Sequence, residues 1–424
     1  MMLKFSLSTL GKVEEVCITT QFLHYPLINL PASPLPSLVS ETLAQAIAVA
    51  DFCANQAAEI DCHGKYPRQE FEQIAEMGLL TAPLKPALGG VGLGIDTQTL
   101  HETLMILQQI GRGNLAVGRI YEGHVNALQL IQTFGTAAQI EQYASDVRDR
   151  HKVFGVWNAE AGDGVKLIPL DSGQYRLEGS KTFCSGVGCV DRPFVNGALP
   201  DGRWQMCVVP LDKVITITDP TWWQPSGMKA SASYKVDFSG VEVDERSLIG
   251  QPDDYHRQPW LSGGAIRFTA VQLGGAEALF NATRQYLHDL KRTADPYQET
   301  RLGQMAIALE SGNLWLQGAA DQFAQHSSIF GGDPGEAQPE ADRLVAYANM
   351  VRTAIEQICM DMMQLCERSI GTRGLLPPYP MERIIRDLTL YLRQPAFDAV
   401  LADVGKYTLR QTLPAQKLWG SQDG

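Results

Sequence analysis

The segment that decides the fold is YPMERIIRD, residues 379–387. It lies in the last of three stretches of the chain that differ in their hydrophobic pattern. In this last stretch the helical pattern returns after Gly250 and continues to about Leu409, interrupted only at residues 330–339, which are rich in Gly, Asp and Pro. Several long helices are therefore predicted around the segment.

The stretch before it is rich in β-forming residues. Short runs of β-branched and aromatic residues alternate there with Gly, Pro and Asp turns. The predicted strands cover residues 153–159, 174–181, 204–209, 214–217 and 234–238. This pattern predicts a separate β domain in the middle of the chain.

The first part of the chain is helical again. Between Ser37 and about Arg150, apolar residues such as Leu43, Ile47 and Ala50 recur at helical spacing. The glycine-rich turn LGGVGLG, residues 88–94, has helical patterns on both sides. A dinucleotide-binding turn must follow a buried strand and open a helix, so we do not expect nucleotide binding of that kind here.

The order helices, β barrel or sandwich, helical bundle predicts a mostly helical α+β protein. The predicted divisions are an extended arm at 1–36, an N-terminal helical domain at 37–151, a central β domain at 152–250 and a C-terminal helical bundle at 251–424. The arm is rich in Pro and Leu without a regular period, and we assign it no function.

Composition excludes several classes of protein. The net charge of −12 over 424 residues argues against a nucleic-acid partner. The eight cysteines are scattered without a Cys-x-x-Cys pair, which predicts reduced thiols in the cytoplasm and no metal site. No apolar run is long enough to cross a bilayer, and the N-terminus lacks the order of a secretion signal.

From about Ser37 to Leu409 the chain resembles the acyl-CoA dehydrogenase family. YPMERIIRD is similar to the family's Y-P-x-E-R-x-x-R-D signature, and this is the most specific match. The segment ERSIGTRG, residues 367–374, stands where the family has Q-x-x-G-G-x-G. FEQIAEMGLL, residues 71–80, with the Gly-Gly turn after it, is similar to the family's first helix pair and its loop.

The β domain carries the remaining matches. FGVWN, residues 154–158, stands at the family's first flavin-contacting strand, and LEGSKTFCSG, residues 177–186, is similar to the strand along the isoalloxazine ring. GMKAS at 227–231, VDFSGVEV at 236–243 and LIG at 248–250 resemble the end of that domain. The resemblance implies a four-helix C-terminal bundle, bound FAD and a homo-oligomer, either a dimer or the family's usual tetramer.

A flavin requires an apolar or aromatic wall, donors to its polar edge, and glycines or a cation near its pyrophosphate. The resemblance assigns these roles to Val156, Trp157, Asn158, Phe183, Ser185, Arg292, Arg368, Gly371 and Gly374. Taken singly, Trp157 and Phe183 would more often be core residues, and Arg292 would more often cap a helix. In a family-like tetramer Arg292 would act across a subunit interface.

The chain departs from the family at the catalytic base. Acyl-CoA dehydrogenases use a glutamate at one of two positions, and here those positions hold Pro395 and Ile266. The nearest carboxylate to the first position is Asp398, which is the candidate base if Pro395 displaces the backbone, and is otherwise an ordinary polar residue at a helix start. The flavin-dependent monooxygenases that share this fold carry a histidine at the position of Gln394 or next to it, and this chain has no histidine there.

Three functions follow as hypotheses. The first is an FAD-dependent oxidoreductase that acts on the CH–CH group of an acyl thioester linked to CoA or to a carrier protein, with an electron-transfer partner or oxygen as acceptor. The second is a flavin-dependent monooxygenase or a nitroalkane-oxidase-like enzyme. The third is a non-catalytic homologue that binds flavin or forms an oligomer. The substrate, the electron acceptor and the identity of a base stay open.

Overall fold

The protein is described here as a computed structural model covering residues 35–64, 66–171, 173–326 and 338–419. The predicted arm lies outside the described residues except at positions 35 and 36, and so does most of the predicted interruption at 330–339. Within the described ranges, the predicted order of helices, β strands and helices is confirmed.

The N-terminal part consists of five helices. They are α1 (Leu35–His63), α2 (Arg68–Glu76), α3 (Leu100–Gly113), α4 (Leu115–Phe134) and α5 (Ala137–Arg150). Asn114 separates α3 from α4, and its side-chain oxygen accepts hydrogen bonds from the backbone N–H groups of Ala116 and Val117. Thr136 begins α5 with a capping box to Gln139. At the N-termini of α4 and α5, these side chains bind backbone N–H groups that have no partner within the helix.

Ten strands form the middle of the chain. They are β1 (Phe154–Trp157), β2 (Lys166–Pro169), β3 (Gln174–Glu178), β4 (Ser180–Cys184), β5 (Arg192–Ala198), β6 (Trp204–Val208), β7 (Ile217–Asp219), β8 (Tyr234–Asp237), β9 (Val241–Asp244) and β10 (Leu248–Ile249). A seven-stranded sheet has the order β10-β6-β5-β2-β3-β9, with β1 parallel to β5, and a three-stranded sheet has the order β4-β8-β7.

Four of these strands, β2, β5, β9 and β10, are absent from the sequence prediction. β5 is the clearest case, because it lies inside the larger sheet between β6 and β2. Its sequence RPFVNGA contains Pro, Asn and Gly, residues that are depleted in strands. All but its last residue are nevertheless buried, so tertiary packing overrides the local preference.

Helices form the remainder of the described chain. They are α6 (Ala265–Asp289), α7 (Pro296–Gln325), α8 (Gln338–Gly374), α9 (Met381–Tyr391), α10 (Phe397–Arg410) and α11 (Ala415–Leu418). α6 packs against both α3 and α8. At the crossing with α3, a Cβ atom on Gly274 would lie 2.0 Å from the Gln108 carbonyl oxygen, so the two backbones approach too closely for any side chain.

The cysteines at the described positions are all unpaired, and Cys53, Cys184, Cys207, Cys359 and Cys366 are buried. They act there as small apolar core residues. Among the described helices, none combines the length and the apolar character that a bilayer span requires.

One buried histidine joins the N-terminal helices to the larger sheet. His124 on α4 accepts a hydrogen bond at Nδ1 from the Phe154 N–H, 3.0 Å away at the start of β1. Its Nε2 therefore carries the proton and donates to the Leu80 carbonyl oxygen at 2.8 Å. Burial lowers the pKa of His124 to about 4, although the bond to Leu80 opposes this shift. The neutral ring is thus the form that the fold stabilises.

We predict that His124 makes the protein sensitive to acid. Its folded pKa lies below the ordinary value of 6.5, so the unfolded chain takes up a proton first as the pH falls. The contribution of His124 to the free energy of unfolding is fully present above pH 6.5 and should be lost as the pH falls to about 4. The loss should be about 3 kcal/mol, at 1.36 kcal/mol per pKa unit. His124→Gln should remove this dependence from urea unfolding curves recorded across that range.

The matched control is His288→Gln, since His288 is exposed at the end of α6. Its profile should follow that of the unmodified protein. An unchanged acid dependence in His124→Gln would assign the effect to other groups.

Candidate functional site

A cavity of about 790 Å³ lies where the β region meets the helices. The β region contributes Val156, Asn158, Phe183 and Ser185 to its wall, among other residues. The rest come from α4, α6, α8, α9 and α10, from the segment before α6 and from the segment joining α9 to α10. The volume is within the range of small-molecule and cofactor pockets. Four of the predicted flavin residues therefore meet at one cavity.

Phe183 forms an aromatic wall. The pairing of β4 with β8 is irregular between Lys181 and Cys184, and Phe183 has a left-handed backbone with φ +52°. A bulge of this kind turns a side chain away from the regular strand direction. The ring is 51% exposed and contacts Trp222 edge-to-face at 4.7 Å between centroids. An exposed aromatic ring inside a cavity is available to stack on a planar ligand.

Three serine hydroxyls form a chain beside Phe183. The Ser185 and Ser233 oxygens are 2.8 Å apart, and those of Ser233 and Ser231 are 2.7 Å apart. Ser231 donates to the Met228 carbonyl oxygen at 2.8 Å. Since each hydroxyl has one proton, Ser233 then donates to Ser231 and Ser185 donates to Ser233. The Ser185 oxygen is thus left to accept a hydrogen bond from a ligand N–H.

Trp157 supports this wall from behind. Its side chain is 1% exposed and does not line the cavity, and its Nε1–H donates to the Ser185 carbonyl oxygen at 2.9 Å. Its neighbours in the sequence, Val156 and Asn158, do line the cavity. Trp157 thereby holds the Ser185 backbone in place from the core.

The segment that decides the fold also positions the cavity wall. Asp387 on α9 is buried and accepts a hydrogen bond from the Met228 backbone N–H. Arg386 pairs with Asp61 of α1 at 2.9 Å and donates to the Ser226 carbonyl oxygen. The residue between these two contacts, Gly227, has no room for a Cβ atom, which would lie 2.1 Å from the Arg386 carbonyl oxygen.

A buried ionic cluster occupies the helical side of the cavity. Glu122 on α4 pairs with Arg119 at 3.0 Å and with Arg267 of α6 at 3.4 Å. Arg267 also donates to Asn126 and Gln129, at 2.7 Å each. Buried charges are tolerated when they are paired and hydrogen-bonded, and this cluster meets both conditions.

Tyr391 presents a free polar group to the same cavity. Its hydroxyl is buried and has no hydrogen-bond partner among the described residues. Burial raises the pKa of Tyr391 well above its usual value, so the hydroxyl stays protonated. An unpaired buried hydroxyl costs free energy that a bound ligand can recover.

The positions of the family's base differ in their surroundings. Pro395 lines the cavity, as does its neighbour Gln394, whereas Ile266 is 1% exposed and does not. Asp398 lies in the first turn of α10, is exposed, and does not line the cavity. The structure therefore does not bring the candidate base to the site.

The predicted pyrophosphate residues also lie elsewhere. Arg292 follows α6 and pairs with Asp295 at 2.8 Å. Arg368, Gly371 and Gly374 lie at the end of α8, where Gly371 has φ +59°. None of the four lines the cavity of this chain.

Sequence reasoning missed Arg119, Glu122, Arg267, Arg352 and Tyr391, which all line the cavity. One signal was available, because Arg119 and Glu122 carry opposite charges within a helix that is rich in apolar residues. Charged residues inside such a helix require partners, and a charged residue on a neighbouring helix is the natural one.

These residues fit the ring of a flavin. Phe183 supplies an aromatic surface, the serine chain supplies an acceptor, and the Tyr391 hydroxyl supplies a donor that lacks a protein partner. A planar ring with both N–H and carbonyl groups at its edge satisfies all three.

Comparison with protein families agrees with this geometry. Residues 41–149 match the N-terminal domain of acyl-CoA dehydrogenases, and residues 266–393 match their C-terminal domain. The chain belongs to the acyl-CoA dehydrogenase family. The predicted family and fold are thereby confirmed, with helical domains on both sides of a central sheet region.

Similar members of this family include enzymes named as monooxygenases. Dibenzothiophene monooxygenase from Rhodococcus erythropolis is 25% identical over 410 residues, covering 90% of this chain and 96% of that protein. A probable FMNH2-dependent monooxygenase, SfnC from Pseudomonas putida, is 22% identical and covers 92% of this chain and 99% of its own.

A solved structure shows the same fold. The FMN-bound TdsC from Paenibacillus sp. A11-2 superposes with a TM-score of 0.78 at 20% identity, covering 89% of this chain and 100% of that one. At this identity the likeness concerns the fold alone. The family relationship nevertheless supports an oxidoreductase with a flavin cofactor.

We predict that Glu122 is needed to neutralise its two arginines. Glu122→Gln keeps an oxygen acceptor but leaves Arg119 and Arg267 without their shared charge, so the free energy of unfolding should fall by about 3 kcal/mol. Urea denaturation measures this loss.

Glu141→Gln is the control, because Glu141 pairs with Arg148 at 3.5 Å on the surface and is 61% exposed. There the loss should stay below ~1 kcal/mol. Equal losses in both variants would contradict a special role of the buried cluster.

Proposed function

We propose that the protein is a flavin-dependent monooxygenase that uses reduced FMN supplied by a separate flavin reductase. With reduced flavin and O2, one oxygen atom would enter the substrate and the other would leave as water, the flavin supplying two electrons and two protons. The observation that carries the proposal is a cavity whose wall has an aromatic ring and hydrogen-bonding groups suited to a flavin, but no carboxylate suited to abstract a proton.

The carboxylates that line the cavity of the described chain are Glu122 and Asp403. Glu122 is held by two guanidinium groups, and Asp403 is exposed on α10. Desaturation of a thioester requires a base within hydrogen-bond reach of the substrate. Oxygen insertion does not require a carboxylate that removes a carbon-bound proton, so Pro395 and Ile266 no longer conflict with an enzymatic role.

The residues around the cavity would divide the remaining tasks. Phe183 would bear the flavin ring, and the Ser185 oxygen would accept from an N–H of the reduced ring. The Tyr391 hydroxyl would donate to an oxygen atom in the cavity. Arg119 would hold positive charge where negative charge develops on oxygen, which stabilises that state because the site is partly shielded from water.

Desaturation of an acyl thioester with bound FAD is the competing proposal. It rests on the family name, and neither carboxylate that lines the cavity is placed to act as the base. Asp398 would have to move from its exposed position to serve as base. No contact within the described part of the chain favours a nitroalkane-oxidase-like reaction or a non-catalytic role.

Whether the protein binds FMN or FAD depends on the predicted pyrophosphate residues, which lie away from the cavity. Arg292, Arg368, Gly371 and Gly374 would bind the pyrophosphate and adenylate of FAD in a neighbouring subunit if the protein forms a family-like oligomer. FMN lacks that half and would use the cavity of one chain. Extraction of the flavin after reconstitution with both compounds, followed by chromatography, identifies the bound form.

The decisive experiment supplies reduced FMN from an added flavin reductase, with indole and dibenzothiophene as probe substrates under ¹⁸O2. We expect products that carry one ¹⁸O atom, identified by mass spectrometry. Product formation should be insensitive to catalase, and reactions without the protein should give no such product. In a parallel anaerobic titration, bleaching of bound flavin by acyl-CoA thioesters would overturn the proposal in favour of desaturation.

We predict that Ser185→Ala weakens the affinity for reduced FMN by about twofold to tenfold, through the loss of one hydrogen bond worth about 0.5–1.5 kcal/mol. Oxidised FMN keeps the N3–H but lacks the N5–H of the reduced ring, which is the donor assigned to Ser185, so its affinity should be affected less. Anaerobic fluorescence titration measures both affinities.

Ser311→Ala serves as control, since Ser311 lies on α7 and bonds only to its own helix at the Ile307 carbonyl. Its affinities should equal those of the unmodified protein. Equal weakening of both flavin forms in Ser185→Ala would remove the assigned acceptor role.

A further inference from the structure

Arg352 is a positively charged residue in the cavity wall that has no role in the proposed flavin site. It lies on α8 and lines the cavity together with Phe268 and Pro395. Its guanidinium carbon is 5.7 Å from the centre of the Phe268 ring and 5.0 Å from that of Phe397. The two rings restrict the orientation of the planar guanidinium group.

The polar contacts of Arg352 are incomplete. It donates to the Pro395 carbonyl oxygen, but its Nε is buried and has no hydrogen-bond partner in the described chain. No carboxylate of the described residues lies within ion-pairing distance of it. Burial lowers the pKa of Arg352, and Glu356, whose charge opposes this, pairs instead with Arg393 at 3.5 Å. Arg352 is thus a partly buried cation without a counter-ion in direct contact among the described residues.

The charges that line the cavity favour an anion as that counter-ion. They comprise four arginines (Arg119, Arg267, Arg352, Arg393) and two carboxylates (Glu122, Asp403). The chain as a whole carries a net charge of −12, so a cationic cavity is a local exception. Fields of this kind attract oppositely charged ligands into a cleft.

The other arginines already have partners. Arg119 and Arg267 share Glu122, and Arg393 has Glu356. Asp403 lines the cavity but lies beyond ion-pairing distance of Arg352. The unsatisfied positive charge is therefore concentrated at Arg352, between α8 and the segment that joins α9 to α10.

We propose that Arg352 binds an oxyanion group of the substrate, a carboxylate or a sulfonate. The inference rests on the proposed oxygenation, because it names the substrate class of that site. The guanidinium fork matches two oxygens of such a group, and the free Nε supplies one of the donors. The apolar part of the substrate would then extend along Phe268 toward the wall formed by the β region.

The proposal is tested by binding of three matched probes without flavin or oxygen, so that a failure of oxygenation leaves the result readable. The probes are naphthalene-2-carboxylate, naphthalene-2-sulfonate and the neutral naphthalene-2-carboxamide. Isothermal titration calorimetry with the full-length protein should show the acids binding roughly tenfold to hundredfold more tightly than the amide, as expected for charge-assisted hydrogen bonds. The ratio between the two acids distinguishes the two oxyanions.

Three variants locate the effect. Arg352→Gln should abolish the preference for the acids and leave amide binding unchanged, and Arg352→Lys should retain part of the preference because it keeps the charge. Arg284→Gln is the matched control, since Arg284 also lies over a phenylalanine ring, 5.5 Å from the centre of Phe280, but outside the cavity. Thermal unfolding of each variant verifies that it is folded.

Several outcomes would overturn the proposal. These are equal affinity of the unmodified protein for acid and amide, absence of binding of all three probes, and equal weakening of all three by Arg352→Gln, which would indicate a structural role. An acid preference that survives Arg352→Gln but disappears in Arg393→Gln would assign the anion to the other arginine.

Discussion

The contact between Asp387 and the Met228 backbone is the constraint on which the site depends. Asp387 is 4% exposed, and burial raises its pKa while Arg383 and the Met228 N–H oppose the shift. Next to it, Arg386 ties α9 to α1 through Asp61. These two residues fix a loop of the β region against helices that are distant in the chain. Ser231 and Ser233 of the serine chain follow directly after that loop, so α9 sets the position of these two residues.

Backbone strain is concentrated around the same cavity. Among the residues that the structure describes, seven non-glycine residues have positive φ, and four of them lie at or next to the cavity wall: Phe183, Met228, Ala232 and Ala396. Such conformations cost about 1–3 kcal/mol each and persist where surrounding contacts determine them. At Phe183 the result is an exposed ring, and at Met228 and Ala232 it is the turn that carries Ser231 and Ser233. The geometry of this wall therefore lowers the stability of the folded protein.

Much of the architecture was accessible from the sequence, and the reason differs from part to part. The helices were predictable because apolar residues recur at their period over many turns. β5 was not, because its Pro, Asn and Gly residues disfavour a strand, and the strand forms through burial between its neighbours. For the site, the ordered motifs led to Val156, Asn158, Phe183 and Ser185. They also led to Trp157, which lies one layer behind the wall.

By itself the sequence determined the family, the order of the parts and the loss of glutamate at Pro395 and Ile266, because these are properties of residue identity along the chain. The segment YPMERIIRD is an example, since its motif is readable without coordinates. Only the tertiary structure decided what Asp387 and Arg386 hold, and which charges share a cavity. Glu122, Arg267 and Arg352 come from three different helices, and their pairing, or its absence at Arg352, depends on distances and burial that no local pattern encodes.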